Sequence, residues 1–226
     1  MLIGILQTGL VPDALHAEMG DYPDMFIRIL DGNGFTFRTY RVVEGQFPAS
    51  VKECEGWLIT GSRHGAYEVH PWIPPLEQFI RDSFAAHVPM VGICFGHQII
   101  AQAMGGRVEK FAGGWAVGAQ EYDFDGETLT LNAWHQDQVT KVPPGAKVVA
   151  SNDFCAHAAL LYDDRAFTVQ AHPEYRADFI DGLIRTRGKG VVPDDLMAKA
   201  TARFAEPLQD KTMAARIAAF FKEPRA

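Results

Sequence analysis

Cysteine is scarce in this chain, and its pattern argues against a disulfide scaffold. The three cysteines among 226 residues, Cys54, Cys94 and Cys155, are odd in number and widely spaced, which suits reduced thiols better than paired bridges or a metal knuckle. Positive charge is also short. With 21 Lys and Arg against 28 Asp and Glu, the formal charge is −7, so no global basic field gathers nucleic acid or anionic lipid. Long hydrophobic runs are missing. The apolar start "LIGIL" is too short for a membrane span, and no basic segment of a secretory signal precedes it, so a cytoplasmic location is expected. A nucleotide signature is missing too: in "GLIRTRGKG", residues 182–190, the spacing is one residue too long for a phosphate-binding loop and Gly190 follows Lys189. No cofactor and no metal site is expected. The chain carries no repeat, low-complexity tract or linker.

With 47% hydrophobic and 22% charged residues, what remains suits one large globular domain with ample core. Residues 2–6 read as a buried strand and "YPDMFIRILDGNG" as an apolar-periodic helix stopped by glycines. "FTFRTYRVV" alternates as a strand, and "EGWLITGS" is a short strand entering a Gly-Ser loop. The helix "PPLEQFIRDSFAAH" and the strand "VPMVGI" follow. Strands alternating with helices predict an α/β fold with a mostly parallel central sheet. "AQEYDFDGETLTLNAWH" reads as an antiparallel pair elaborating that same sheet, "HAALLYDDRAFTVQAHPEY" as two more strands, and "RADFIDGLIRT" as a helix. A helical extension over 187–226 has apolar stripes at Leu196, Ala200 and Phe204 and at Met213, Ile217, Phe220 and Phe221. These stripes suit packing on the main domain or docking of a partner.

The chemistry concentrates at "GICFG", residues 92–96. A strand that turns sharply into a helix leaves the central side chain exposed on a strained backbone, and glycines on either side allow the two elements to pass closely. Cys94 at the helix N-terminus then sits near the dipole's positive end, which favours thiolate, and the Phe95 amide can donate to an oxyanion. The plain alternative is a small buried hydrophobe. In "VQAHPEY", His172 and Glu174 lie two residues apart at a strand end, so both project from one face and the carboxylate can orient the imidazole. Gly61 and Ser62, in the loop over residues 60–68, offer small residues whose amides could complete an oxyanion hole. The same loop also reads as an ordinary strand-to-helix turn. All three segments would lie at the carboxyl ends of parallel strands, where such sheets bind ligands.

"GICFGHQ" with a downstream "HPE", whose His172 lies 78 residues after Cys94, closely resembles the class I glutamine amidotransferases over about residues 1–186. The resemblance implies the flavodoxin-like class I glutaminase fold and a Cys94-His172-Glu174 triad that carries a γ-glutamyl thioester on Cys94. It also implies that Gln98 helps hold the glutamyl group and that residues 134–139, with His135 and Gln136, wall its pocket, while His97 is structural. Gly61-Ser62-Arg63 and Trp134-His135-Gln136-Asp137 stand where synthetase-coupled members carry Gly-Gly-Pro and Ser-His-Gly-Asp. In this the chain is similar to the free-standing branch that includes γ-glutamyl peptide hydrolases and is related to the glutaminase domain of GMP synthase. Three readings follow. The chain releases ammonia from glutamine for a synthase on another chain, or hydrolyses γ-glutamyl peptides or amines alone, or is a non-catalytic binding module. Cys54 and Cys155 are read as structural.

Overall fold

Short runs of aliphatic and β-branched residues set the strands, and amphipathic runs with polar or proline starts set the helices. In the computed structural model, which describes residues 1–225, the chain opens with β1 (Leu2–Leu6), α1 (Asp13–Met19), α2 (Tyr22–Ile29) and β2 (Thr36–Tyr40). β3 (Gly56–Ile59), α3 (Ile73–Ala85), β4 (Met90–Ile93) and α4 (Phe95–Ala103) follow. Next come β5 (Arg107–Lys110), the hairpin β6 (Ala116–Phe124) and β7 (Glu127–His135), and β8 (Asp137–Lys141). β9 (Lys147–Ala150), β10 (Ala159–Tyr162) and β11 (Ala166–Val169) complete the strands. Helix α5 (Ala177–Leu183) runs into a π-helical turn, Ile184–Gly188, ahead of α6 (Asp194–Ala202) and α7 (Asp210–Lys222).

Seven strands form the central sheet in the order β2-β1-β3-β4-β11-β10-β9. The first five run parallel, and β10 lies antiparallel between β11 and β9. This is the mostly parallel α/β architecture expected, with the strand order of a flavodoxin-like doubly wound sheet. Alternate side chains feed two cores. Ile3, Ile5, Leu58 and Val91 face Phe26 of α2 and Ile217 and Phe221 of α7. Leu6, Trp57, Ile59 and Met90 face Leu76 and Ile80 of α3 and Ile99 of α4. With both faces covered, the inner strands carry almost no polar residues. Among the described residues no helix is long and apolar enough to cross a membrane.

One expectation needs correction. The hairpin of β6 and β7 does not extend the central sheet but forms a two-stranded sheet of its own, as do β5 and β8. Both edges of β11 are already paired, to β4 and β10. The hairpin therefore meets the main sheet only at isolated bridges, Asn132 to His172 and Asp123 to Ser151. Its alternation still buries Tyr122, Phe124, Leu129 and Leu131 in the first core. Gly118 of β6 has φ of +74°, and its missing Cβ is the space that Ala200 of α6 occupies.

The stripe on α7 is part of the main core, since Met213, Ile217 and Phe221 share a cluster with Ile3 and Val91. Phe221 lies edge-on to Phe35, with ring centroids 5.9 Å apart. Phe221→Ala is therefore expected to lower unfolding free energy by about 3–5 kcal/mol, the cost of emptying a buried phenylalanine site, as read by urea denaturation. A loss below about 1 kcal/mol would mean that α7 is dispensable to the core.

Candidate active site

The site is built at the carboxyl ends of β1, β3, β4 and β11, astride the point where strand order reverses. Cys94 is the hinge between β4 and α4. Its backbone has φ of 53° and ψ of −101°, a region that L-residues avoid, and the surroundings impose it. A Cβ on Gly92 would come within 2.5 Å of the Gly96 carbonyl group, and one on Gly96 would collide with the Ile59 carbonyl of β3. Strand and helix thus pass too close for any other residue, and the chain must turn at position 94. The Cys94 amide donates to Val169 O of β11 (2.8 Å), and its carbonyl accepts the first α4 bond, from Gln98 N (3.0 Å). The Phe95 amide, in the first turn, has no carbonyl four residues back within the helix to bind.

His172 follows the end of β11 and is buried, as is Glu174. Nδ1 of His172 lies 2.7 Å from Glu174 Oε1. Three further contacts fix the ring. Its amide donates to Asn132 O (2.8 Å), Asn132 Nδ2 donates to Tyr175 O (3.0 Å), and the Tyr175 ring stacks on the imidazole at 3.9 Å and 4°. On the other side, a Cβ on Gly61 would lie 3.0 Å from His172 Cε1 and 3.8 Å from Cys94 Cβ. Gly61 is therefore the spacer at which the loop after β3, the thiol and the imidazole converge. Burial opposes a charge on His172, but Glu174 and the neighbouring Cys94 sulfur outweigh it and hold the imidazolium up to about 10.

The loop after β3 is held by hydroxyls. Thr60 Oγ1 and Thr8 Oγ1 both donate to the Gly61 carbonyl, at 3.0 and 3.2 Å. Because C=O and N–H point oppositely across a trans peptide, this turns the Ser62 amide away from the Thr8–Thr60 pair.

Cys94 and His172 border one cavity of about 350 Å³, together with Ser62, Gln98, His135, Gln136 and Asp137. Of the sequence-expected residues, Gln98 borders the cavity with its amide hydrogens already engaged. Its Nε2 donates to Asp137 O (2.8 Å) and to Gln170 Oε1 (3.1 Å), leaving its oxygen for a ligand. Gln136 Nε2 reaches Phe111 O at 3.4 Å. His135 is buried with neither ring nitrogen hydrogen-bonded. Burial, aided by the charge on His172, pushes it down to about 3, so it presents a neutral imidazole with one donor and one acceptor. His97 lies in the core with Nδ1 2.8 Å from Thr168 Oγ1, and burial likewise lowers it to about 3.

Sequence reasoning missed several residues. Gln170 Nε2 points at Cys94 Sγ from 3.6 Å, and its place two residues before His172 could have signalled a shared face. Arg187, in the π-helical turn, borders the cavity and donates to Leu10 O (2.9 Å) and toward Tyr22 Oη (3.5 Å). It has no carboxylate partner among the described residues. Such turns often mark functional positions, but periodicity does not reveal them. Trp115 and Trp134, edge to face at 6.2 Å, form an aromatic wall beside Lys110.

Residues 39–181 match the family model described as glutamine amidotransferase class-I. The chain is 30% identical to γ-glutamyl peptidase 4 of Arabidopsis thaliana over 76% of each chain. It is 36% identical to a glutamine-hydrolysing GMP synthase of Aromatoleum aromaticum over 53% of this chain and 25% of that one. A solved glutamine amidotransferase from Methylobacillus flagellatus shares the fold, with TM-score 0.76 and 23% identity, covering 97% of this chain and 93% of the other.

The charge on His172 depends on Glu174, so Glu174→Gln should leave burial unopposed except by the sulfur and lower the imidazole's pKa. By NMR of labelled histidine, His172 of the unaltered protein should remain protonated at pH 8, while in the variant it should lose its proton at a lower pH. The stability contributed by this raised pKa is full below the unfolded histidine's ordinary 6.5 and fades as pH rises toward about 10. Identical titrations in the two proteins would show that the carboxylate does not govern the ring.

Proposed function

The chain belongs to the class I glutamine amidotransferase family, and from that premise we propose that it hydrolyses γ-glutamyl amide bonds through a thioester on Cys94, preferring a leaving group larger than ammonia. The observation that carries the reading is the elbow. A cysteine with positive φ at a helix start borders the same cavity as a buried, carboxylate-paired histidine. A buried Cys94 serving only as core would need neither that strain nor that cavity.

In this reading the thiolate of Cys94 attacks the γ-carbonyl carbon, and the C–S bond forms as the carbonyl oxygen takes the electron pair. The amides of Phe95 and Ser62 receive that oxyanion, Ser62 because the hydroxyls of Thr8 and Thr60 hold the opposite end of its peptide. Imidazolium His172 gives its proton to the departing amine, and the C–N bond breaks. Water then adds to the thioester carbon, forming the C–O bond as neutral His172 takes one of its protons, and the C–S bond breaks to restore the thiolate and release the γ-carboxyl group, which gives its remaining proton to solvent. Glu174 orients the ring and stabilises its charged form, Tyr175 fixes its plane, and Gln170, held by Gln98, donates toward the sulfur. His135 and the oxygen of Gln98 meet the glutamyl head. Arg187, with no acidic partner among the described residues, supplies the counter-charge for a substrate carboxylate.

Cavity size and lining favour the larger leaving group. About 350 Å³ lies within the range of pockets that hold whole drug-sized ligands, from about 300 Å³. The tryptophan wall and Lys110 suit an amino acid with an apolar side chain and a free carboxylate. Similarity to a γ-glutamyl peptidase supports the same choice, whereas similarity to part of a GMP synthase supports ammonia release to a partner.

Purified protein given glutamine and γ-glutamyl dipeptides separates the two. We expect kcat/KM on a dipeptide to exceed that on glutamine at least roughly tenfold, the weight of one added charged contact. Turnover of glutamine alone, or only beside a synthase, would overturn the preference. Cys94→Ala should fold normally and lose all turnover, with no glutamyl adduct by mass spectrometry, and retained activity would refute the thioester. Arg187→Met should raise KM about 10–100-fold with kcat less affected, the loss of one charged hydrogen bond.

A further inference from the structure

The loop between β3 and α3 carries a second cluster that the proposed chemistry leaves unused. Glu68 Oε2 lies 2.7 Å from His70 Nε2 and 3.5 Å from His64 Nδ1. One donor atom from each of the three residues falls within 4.8 Å of the other two. The imidazole rings are inclined at 64° with centroids 4.3 Å apart, so they do not stack and their nitrogens converge on the carboxylate.

These are not three independent surface side chains. His70 stacks on Trp72 at 5.7 Å and 12°, and His64 meets the same indole edge-on at 5.9 Å. Trp72 is buried and packs on Phe95, at 5.5 Å. The backbone is pinned as well: His64 N donates to Ser62 Oγ (3.2 Å), Glu68 N to Gly65 O (3.0 Å) and Ile73 N to His70 O (3.1 Å). From the next helix face, Gln102 Nε2 holds Ala66 O at 2.7 Å. A site whose donors are ordered before the ligand arrives spends little binding energy on ordering them.

The geometry points to a binding site for a borderline divalent transition-metal ion, of which Zn²⁺ is the probe, formed by His64, Glu68 and His70 at the rim of the Cys94 cavity. Two imidazole nitrogens and one carboxylate oxygen suit zinc, cobalt, nickel or copper, and do not suit magnesium or calcium, which take oxygen sets. Three protein ligands leave a fourth position for water. Metal-to-donor lengths of about 2.0–2.2 Å place tetrahedral neighbours roughly 3.3–3.5 Å apart. The 3.5 Å between His64 and Glu68 matches that separation, and the 2.7 Å between His70 and Glu68 opens modestly as the ion replaces their shared proton. Because Ser62 lies two residues before His64, and both His64 and Glu68 border the cavity, a bound ion would pin the loop that holds the Ser62 amide and narrow the mouth. The site itself does not depend on the proposed reaction; only its effect on turnover does.

The test uses the full chain carrying Cys94→Ala, which removes the catalytic thiol as a competing ligand. After chelator treatment it is titrated with Zn²⁺ by calorimetry and with Co²⁺ by visible absorption. One equivalent should bind, and the Co²⁺ spectrum should lack thiolate charge-transfer bands. His70→Ala and Glu68→Gln, made separately, should each weaken binding roughly 100-fold, at least as much as losing a group that only supports a ligand. Metal-free melting curves of the variants check that they fold. In the background that retains Cys94, His70→Ala should leave metal-free turnover unchanged and abolish any effect of Zn²⁺ on KM. Absence of binding to the folded parent, or variants that bind as tightly as the parent, would overturn the site, whatever the protein does to γ-glutamyl substrates.

Discussion

The structure turns on the backbone of residue 94. A non-glycine residue at φ of 53° and ψ of −101° costs on the order of 1–3 kcal/mol and persists only where its surroundings over-determine it. Here two close approaches do so, Gly92 against Gly96 and Gly96 against the Ile59 carbonyl. Both require β3, β4 and α4 to be packed first, with Ile59, Val91 and Ile99 wholly buried. The dense core is therefore the source of the strain that keeps the sulfur at the cavity and at the positive end of α4.

Around that fixed point, three buried histidines show how environment divides one residue type into different tasks. His97, His135 and His172 are all nearly inaccessible, so desolvation disfavours the charged form of each. His97 and His135 have no carboxylate against them and stay neutral, at about 3. His172 has Glu174 at 2.7 Å and moves the other way, to about 10. The neighbours reinforce one another, because the charge on His172 is one cause of the low value at His135. A neutral imidazole beside a charged one thus follows from one carboxylate placed two residues after His172.

Much of this was legible in the sequence. The strand over residues 2–6 appears as β1, and the glycines of "GICFG" mark the close approaches, Gly92 to its chain neighbour Gly96 and Gly96 to Ile59 of β3. His172 and Glu174 were readable because strand periodicity is local. What escaped is long-range. The hairpin of β6 and β7 was assigned to the central sheet because alternation shows that a segment is a strand but not which edges are free. Gln98 was expected to help hold the glutamyl group, but the partners that occupy its amide hydrogens, Asp137 and Gln170, lie 39 and 72 residues away and were not legible. Arg187 meets its partners Tyr22 and Leu10 across 165 and 177 residues, and no pattern in "RTRG" encodes that.

The division between legible and hidden residues follows a physical boundary in the molecule. Elbow and histidine pair sit on strand ends whose positions the core dictates, so their local signals are strong and their geometry cannot drift. The walls of the cavity come from segments outside that lattice: the loop after β3, the hairpin end at Trp134 and His135, and the turn at Arg187. The loop after β3 connects the two regimes. Thr8 and Thr60 tie its first peptide to the sheet, Gly65 lets it fold against Tyr67 and Asp137, and beyond them His64, Glu68 and His70 gather on Trp72. Changes at its outer end can reshape the mouth without moving the sulfur, because the tether at Gly61 stands between them. A fold built this way keeps the strained cysteine and its paired histidine in the rigid lattice and leaves the cavity mouth to segments that can vary.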